Sequence, residues 1–149
     1  MTEQLVAFLR ARYDEDEEAA RAATPGPWEW TPEQDLWDQN GPTLIRAGHD
    51  GYEDRPLTTV LEGWGHDAWG MHVTEENQTH IARHNPARVL AEVEAKRAIV
   101  DRYAEVQEMD REDAEPEFAY GRAVGLGQAV RLLALPYQEH PDYRPEWRP

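Results

Sequence analysis

THIARHNPARVLAEVEAKRAIVDRYAEV, residues 79–106, decides the fold, because it is the longest stretch with continuous helical patterning. Asn85 is typical of a helix N-cap, and Pro86 suits the first helical position, where its missing N–H would have no intrahelical partner. A long central helix is therefore predicted to begin at Pro86, after a short helical turn over 78–84. Its apolar positions form one broad stripe, predicted to be buried: Val89, Leu90, Val93, Ile99, Val100, Tyr103 and Val106.

A first helix is predicted from about Glu3 to Ala23, because apolar residues recur there at three- and four-residue spacings. These residues are Leu5, Val6, Leu9 and Tyr13. Five consecutive acidic residues, Asp14 to Glu18, predict either a solvated acidic face or part of a docking surface for a basic partner. The two prolines of TPGPW, residues 24–28, end this helix.

The segment between residues 28 and 73 has the signature of a small antiparallel sheet. Short runs of aromatic and β-branched residues are separated by turns rich in glycine, asparagine and aspartate. Three or four strands are predicted, at Trp28–Trp30, Thr43–Ala47, Leu57–Trp64 and Trp69–Val73.

A C-terminal helix is predicted over Phe118–Ala134, although three glycines disfavour its first half. Either the helix begins late, near Gly127, or the glycines allow close packing on the central helix. The core candidates are Leu132, Leu133 and Leu135.

Residues 136–149 form a tail rich in proline and aromatic residues, which we predict to be extended. Tyr137, Tyr143 and Trp147 are expected to lie back along the domain, because exposed aromatic side chains in a free tail favour aggregation. The alternative is that they contact another protein.

These elements predict a single α+β domain over residues 1–149, with the central and C-terminal helices packed on one face of the sheet. No apolar run approaches the roughly 20 residues that span a bilayer, and the N-terminus does not resemble a signal peptide. We therefore expect a cytoplasmic protein that does not bind membranes.

The formal charge of -15 argues against direct binding to a DNA or RNA backbone. A basic or neutral partner fits this charge better. The chain contains neither cysteine nor serine, which excludes disulfides, thiolate metal sites and the mechanisms of serine and cysteine hydrolases.

A metal site can be drawn from His80 and His84, whose spacing of four places both imidazoles on one helix face, with His66 and His72 nearby in sequence. The HxxxH pattern is common in helices without metal, and further ligands are not evident. We favour structural roles for these histidines and predict no metal or other cofactor. A metal-dependent hydrolase or lyase using His80 and His84 is the alternative.

Four tryptophans fall in the sheet region: Trp28, Trp30, Trp64 and Trp69. We expect them in the core or at its edge. The alternative is an aromatic wall on which a planar, nucleotide-like ligand stacks, with Arg83 or Arg88 contacting its anionic group near a helix N-terminus.

Three blocks carry a resemblance to a known family: LVAFLRARYDEDEEAARAATPGPW, HIARHNPARVLAEVEAKRAIVD and RLLALPYQEHPDYRPEWRP, at 5–28, 80–101 and 131–149. In this order they resemble a family of small acidic proteins of unknown function from streptomycetes, other actinobacteria and their phages. TPGPW followed by HIARHNPARVLAEVE more distantly resembles the Ead-type early proteins of lambdoid phages. The resemblance implies a phage or prophage accessory protein and supplies no catalytic residues.

Together these observations favour a non-enzymatic binding module that sequesters a small anionic ligand or blocks a host protein. A structural homo-oligomer is a further possibility, with the stripe of the central helix shared across a two-fold axis. We also expect self-association, most simply a homodimer, in the binding module.

Overall fold

A computed structural model describes residues 2–30, 44–46, 59–61, 74–109 and 118–149 of the chain. These residues belong to two compact units. The helical unit comprises Met1–Glu17 and Glu92–Pro149, and the sheet unit comprises Glu18–Ala91. The prediction of a single domain is not tested by this division and stays a prediction.

The described residues form four α-helices and three β-strands, which confirms the α+β class. The helices are α1 (Thr2–Ala22), α2 (Glu75–Arg83), α3 (Pro86–Ala104) and α4 (Phe118–Ala134), and the strands are β1 (Trp28–Trp30), β2 (Leu44–Arg46) and β3 (Thr59–Leu61). Short 3-10 helices lie at Gln107–Met109, Leu135–Tyr137 and Pro145–Trp147. No helix in this part of the chain is both long and apolar enough to cross a membrane.

The three strands form one antiparallel sheet in the order β1-β2-β3. Trp28 lies opposite Arg46, and Trp30 lies opposite Leu44. The pairing of β2 with β3 contains an irregularity between Leu44 and Ile45. Three of the predicted strands are thus confirmed, and the fourth, at 69–73, lies outside the described residues.

Helix α2 is longer than the predicted turn because it begins with a capped first turn. The Thr74 hydroxyl accepts a hydrogen bond from the Asn77 amide at 3.4 Å. Glu75 and Glu76 follow it, where carboxylates interact favourably with the positive end of the helix dipole. Helix α3 begins at Pro86, as the sequence predicts.

The helical unit contains a core built from one face each of α1, α3 and α4. Four residues of the α3 stripe are buried, Val93, Val100, Tyr103 and Val106, and Ile99 is half-buried. The buried side chains include Leu5, Phe8, Leu9, Tyr13, Val93, Val100, Tyr103, Val106, Val130 and Trp147.

On α4 the core prediction was wrong. The buried positions are Ala123, Gly127, Val130 and Ala134, whereas Leu133 and Leu135 are only half-buried and Leu132 is 55% exposed. Spacings of three and four residues place the four small residues on one helix face. The large size of the leucines misled the prediction, because α4 packs through its small residues.

Two of the three α4 glycines, Gly121 and Gly125, also differ from expectation, whereas Gly127 is buried. The helix begins at Phe118, well before Gly127, and Gly121 and Gly125 are exposed. A Cβ atom added to either glycine would have no atom within 4 Å, apart from its chain neighbours and the nearby backbone of its own helix. They therefore do not mediate close packing on the central helix.

Residues of the acidic run of α1 form ion pairs within the helical unit. Arg97 of α3 donates to Asp14 at 2.5 Å and also to Glu17, rather than pairing with Glu94 of its own helix. Asp101 accepts from Arg10 of α1 at 2.7 Å. These ion pairs fix the register between α1 and α3, although pairs this exposed contribute little stability individually.

The tail docks within the helical unit around the ring of Phe8. Four rings lie within 6.4 Å of it, centroid to centroid: Tyr137, His140, Tyr143 and Trp147. Arg144 also donates a 2.7 Å hydrogen bond to the side-chain oxygen of Gln4. The expectation that the tail lies back is met, but the tail is not extended, because its prolines begin two 3-10 turns.

Two tyrosines in this cluster differ in how their hydroxyls are paired. The Tyr137 hydroxyl donates to Asp16 at 2.5 Å, whereas the buried Tyr13 hydroxyl has no hydrogen-bond partner in the described part of the chain. Burial raises the pKa of Tyr13 to about 12, with the Asp16 charge adding to the effect. Burial and the Asp16 hydrogen bond also raise the pKa of Tyr137.

This difference predicts opposite effects for two identical substitutions. Tyr137→Phe should lower the free energy of unfolding by about 1.5 kcal/mol, because it removes a hydrogen bond to a charged group. Tyr13→Phe should leave it unchanged or raise it, because it removes only an unpaired buried hydroxyl. Urea denaturation followed by circular dichroism measures both, and equal losses for the two variants would contradict this account.

Candidate functional site

The two sequence segments singled out above, TPGPW and HIARHNPAR, meet in the sheet unit. Gly26 lies against Asn85, the residue before α3. A Cβ atom on Gly26 would clash with the Asn85 side-chain oxygen and lie 3.0 Å from the Ala87 amide nitrogen. The backbone φ of Gly26 is outside the left-handed region, so glycine is required here for space. The Gly26–Pro27 peptide bond is cis.

Both polar atoms of the Asn85 side-chain amide form hydrogen bonds to the backbone. Its side-chain oxygen accepts from the Ala87 and Arg88 amides at 3.0 and 3.3 Å, which confirms the predicted N-cap. Its side-chain nitrogen donates to the Ala82 carbonyl at 2.9 Å, in α2. Asn85 therefore fixes the junction between α2 and α3 and presents a defined surface to Gly26.

Trp28 and Trp30 are also fixed by hydrogen bonds. The Trp28 indole N–H donates to the Thr24 carbonyl at 2.9 Å, and the Trp30 indole N–H donates to the Gln78 carbonyl at 2.8 Å. Both side chains are half-buried, and β1 packs against α2. This partial burial agrees with the predicted position of both residues at the edge of a core. Neither ring can reorient without losing its hydrogen bond.

The sheet register adds to the candidate site a residue that was not predicted from the sequence. Arg46 of β2 is directly opposite Trp28, and directly opposite residues in an antiparallel pair project from the same face of a sheet. Arg46 is exposed. Nothing in the sequence pairs these two positions, because the register depends on the connection between β1 and β2. Trp64 and Trp69, the other predicted wall residues, lie outside the described residues.

The α2–α3 junction concentrates basic side chains. His80, Arg83, His84 and Arg88 all lie within nine residues and are exposed. No aspartate or glutamate occurs between Glu76 and Glu92, in a chain with 30 acidic residues. This stretch of sequence therefore carries a net positive charge, unlike the chain as a whole.

The two histidines of the HxxxH motif lie side by side. Their ring centroids are 4.4 Å apart at a tilt of 39°. Within the described part of the chain, no group of three or more His, Asp or Glu side chains is placed to hold a metal ion. His66 and His72, the further ligands considered above, lie outside it.

The arrangement offers binding groups rather than an evident nucleophile. The Ala87 and Arg88 amides are already occupied by Asn85, so the N-terminus of α3 does not present these two donors to a ligand. An anion at the junction would be bound by the arginine and histidine side chains instead. The indole rings of Trp28 and Trp30 supply flat apolar surface on the adjacent strand.

These features describe a mixed α+β protein with an arginine- and histidine-bearing helix junction beside two tryptophans. Residues 2–149 match the family described as "Family of unknown function (DUF6221)". The match covers all residues but the first, and the chain belongs to this family. No curated protein and no solved structure matches the chain.

Two glycine-to-alanine substitutions test the packing at the junction. Gly26→Ala should lower the free energy of unfolding by about 1–3 kcal/mol, because the added methyl group must displace Asn85 or the start of α3. Gly125→Ala, the matched control on α4, should raise it by about 0.5–1 kcal/mol, because its methyl group enters open space within a helix. Chemical denaturation measures both, and a neutral Gly26→Ala would exclude the close approach.

Proposed function

We propose that this protein is a non-enzymatic binding module whose ligand is a small anion with a planar, nucleotide-like part. The binding surface is the α2–α3 junction together with the adjacent face of the sheet. The observation that carries the proposal is the cluster of exposed basic side chains, free of carboxylates in sequence, beside Trp28 and Trp30. The basic side chains of this cluster attract an anion locally, although the chain as a whole has a charge of -15.

Each group has a role in this proposal. Arg83 and Arg88 contact the anionic group, and Arg46 reaches it from the sheet face that carries Trp28. Guanidinium groups suit phosphate and carboxylate because they donate in a planar fork. Trp28 and Trp30 offer ring surface for stacking, with the ring planes already fixed by their indole hydrogen bonds.

Blocking a basic host protein through the acidic run of α1 has weaker support. Asp14 and Glu17 are paired with Arg97, Glu15 with Arg12, and Asp16 with the Tyr137 hydroxyl. A basic partner would have to compete with these contacts. The acidic run therefore contributes first to packing within the helical unit.

The proposed biological setting rests on the sequence blocks rather than on the site. Their resemblance to proteins of streptomycetes, other actinobacteria and their phages supports a phage or prophage accessory protein acting in the host cytoplasm. Sequestering a small ligand suits such a role, because it requires no catalytic group. The same resemblance extends to the TPGPW and HNPAR segments that form the junction.

The proposal predicts that the protein binds nucleotides through charge and stacking together. Isothermal titration calorimetry should detect ATP, AMP or a related nucleotide, with weaker binding of tripolyphosphate and of adenosine, each of which offers only one of the two contacts. Arg83→Gln should weaken nucleotide binding about tenfold or more, as expected for loss of one charge-assisted contact of at least 1.4 kcal/mol.

Arg102→Gln is the matched control, because Arg102 is also exposed and helical but lies in the helical unit. It removes the same charge and should leave the affinity unchanged. If a broad nucleotide panel produces no heat of binding and no shift in melting temperature, the proposal is wrong. Equal losses in Arg83→Gln and Arg102→Gln would indicate a nonspecific charge effect and also contradict it.

A further inference from the structure

The last residues of the chain, 138–149, contact α1 within the helical unit, and we call them the strap. Helix α4 leads into the strap through the 3-10 turn Leu135–Tyr137. The hydrogen bond from the Tyr137 hydroxyl to Asp16 fixes the chain immediately before the strap. Within the strap, Arg144 donates to the side-chain oxygen of the exposed Gln4 at 2.7 Å. The strap is thus fixed firmly at its start and by a solvent-exposed hydrogen bond further along.

Ring contacts with Phe8 hold the strap closed. The ring centroids of His140, Tyr143 and Trp147 lie 5.7, 6.1 and 5.0 Å from the centroid of Phe8. Phe8 is 7% exposed and Trp147 is 3% exposed. Removal of these rings from water is the main contribution that favours the closed strap.

Closure also shields two polar groups of the strap that have no partner. The Tyr143 hydroxyl and the Trp147 indole N–H are buried and form no hydrogen bond with any residue that the structure describes. A buried donor without an acceptor is destabilising, because it has lost its hydrogen bonds to water. Release of the strap restores the hydration of both groups. By contrast, the hydroxyl of Tyr137, just before the strap, is paired with Asp16.

A buried cation lies beside the same phenylalanine ring. The guanidinium carbon of Arg12 is over the face of Phe8, 5.4 Å from its centroid, and Arg12 is 7% exposed. Its Nη2 atom donates to Glu15 at 2.7 Å, whereas Nε and Nη1 have no acceptor in the described ranges. A buried charge with incomplete pairing is more destabilising than a neutral polar group. The surroundings of Phe8 therefore combine strong apolar contacts with several unpaired donors.

We propose that the strap is a releasable cover for Phe8, which opens and closes while α1, α3 and α4 stay folded. The apolar contribution that closes it is opposed by its two unpaired donors, so opening requires less free energy than unfolding of the helices. Tyr137, with its paired hydroxyl, is the fixed end about which the strap moves. The closed strap conceals Phe8, and the open strap exposes this aromatic ring beside the Arg12 guanidinium.

Amide hydrogen exchange of the full chain, followed residue by residue with NMR, tests the proposal. The amides of Tyr143, Trp147 and Arg148 report on the strap, because each donates a hydrogen bond to another strap residue. The amides of Val100 and Tyr103 report on α3. The strap amides should be protected but should exchange about 100-fold faster than those of α3. Their rates should not change at low urea concentrations, because local opening exposes little surface.

Tyr143→Phe tests the physical cause of opening, because it removes one unpaired hydroxyl from the strap. It should slow exchange of the Trp147 and Arg148 amides about fivefold to tenfold, by stabilising the closed strap. Tyr13→Phe is the matched control. It also removes an unpaired buried hydroxyl, but from α1, where the Tyr13 ring contacts Tyr137 ahead of the strap. Exchange in the strap should be the same in this variant as in the wild type.

Several results would overturn the proposal. Strap amides as well protected as those of α3 would mean that the strap opens only when the helices unfold. Strap amides without protection would mean that it does not close over Phe8. If Tyr143→Phe fails to slow exchange in the strap, or if Tyr13→Phe slows it equally, the unpaired donors of the strap do not control its opening.

Discussion

The close approach of Gly26 to Asn85 is the constraint on which the organisation of the sheet unit depends. It brings the segment that follows α1 against the start of α3. Asn85 at the same time caps α3 and bonds back to α2. One side chain therefore links three stretches of chain that are up to 60 residues apart in sequence, and β1 follows directly from the glycine. In the same unit β1 packs against α2, and the Trp30 indole N–H donates to the Gln78 carbonyl.

In the helical unit a different interaction holds the C-terminal segment, the insertion of Phe8 among its aromatic side chains. Its charges serve mainly to align helices, with Arg97 bridging two carboxylates of α1. Net charge is therefore a poor guide to function in this protein. The acidic residues are partly occupied by internal contacts, while the α2–α3 junction exposes His80, Arg83, His84 and Arg88 within a short stretch of sequence.

Much of this fold can be predicted from the sequence, because strong local signals specify its helices without help from tertiary contacts. Asn85-Pro86 defines the start of α3, and the helical spacings of α1 and α3 identify residues that are buried. Prediction failed on α4, where small residues rather than leucines form the packed face, since the choice depends on how close the neighbouring helix lies. Arg46 was missed for a similar reason, because strand register is a tertiary property. The only sequence signal for the contact of Gly26 with Asn85 is that a glycine lies between two prolines.

A double-mutant cycle between Gly26 and Asn85 tests the central claim most directly. We expect Gly26→Ala to be much less destabilising in the presence of Asn85→Ala, because the substituted methyl group then no longer meets the asparagine side chain. The coupling free energy from urea denaturation should be about 1 kcal/mol or more. Additive effects, within about 0.5 kcal/mol, would mean that the two residues do not interact and would contradict the organisation of the junction described above.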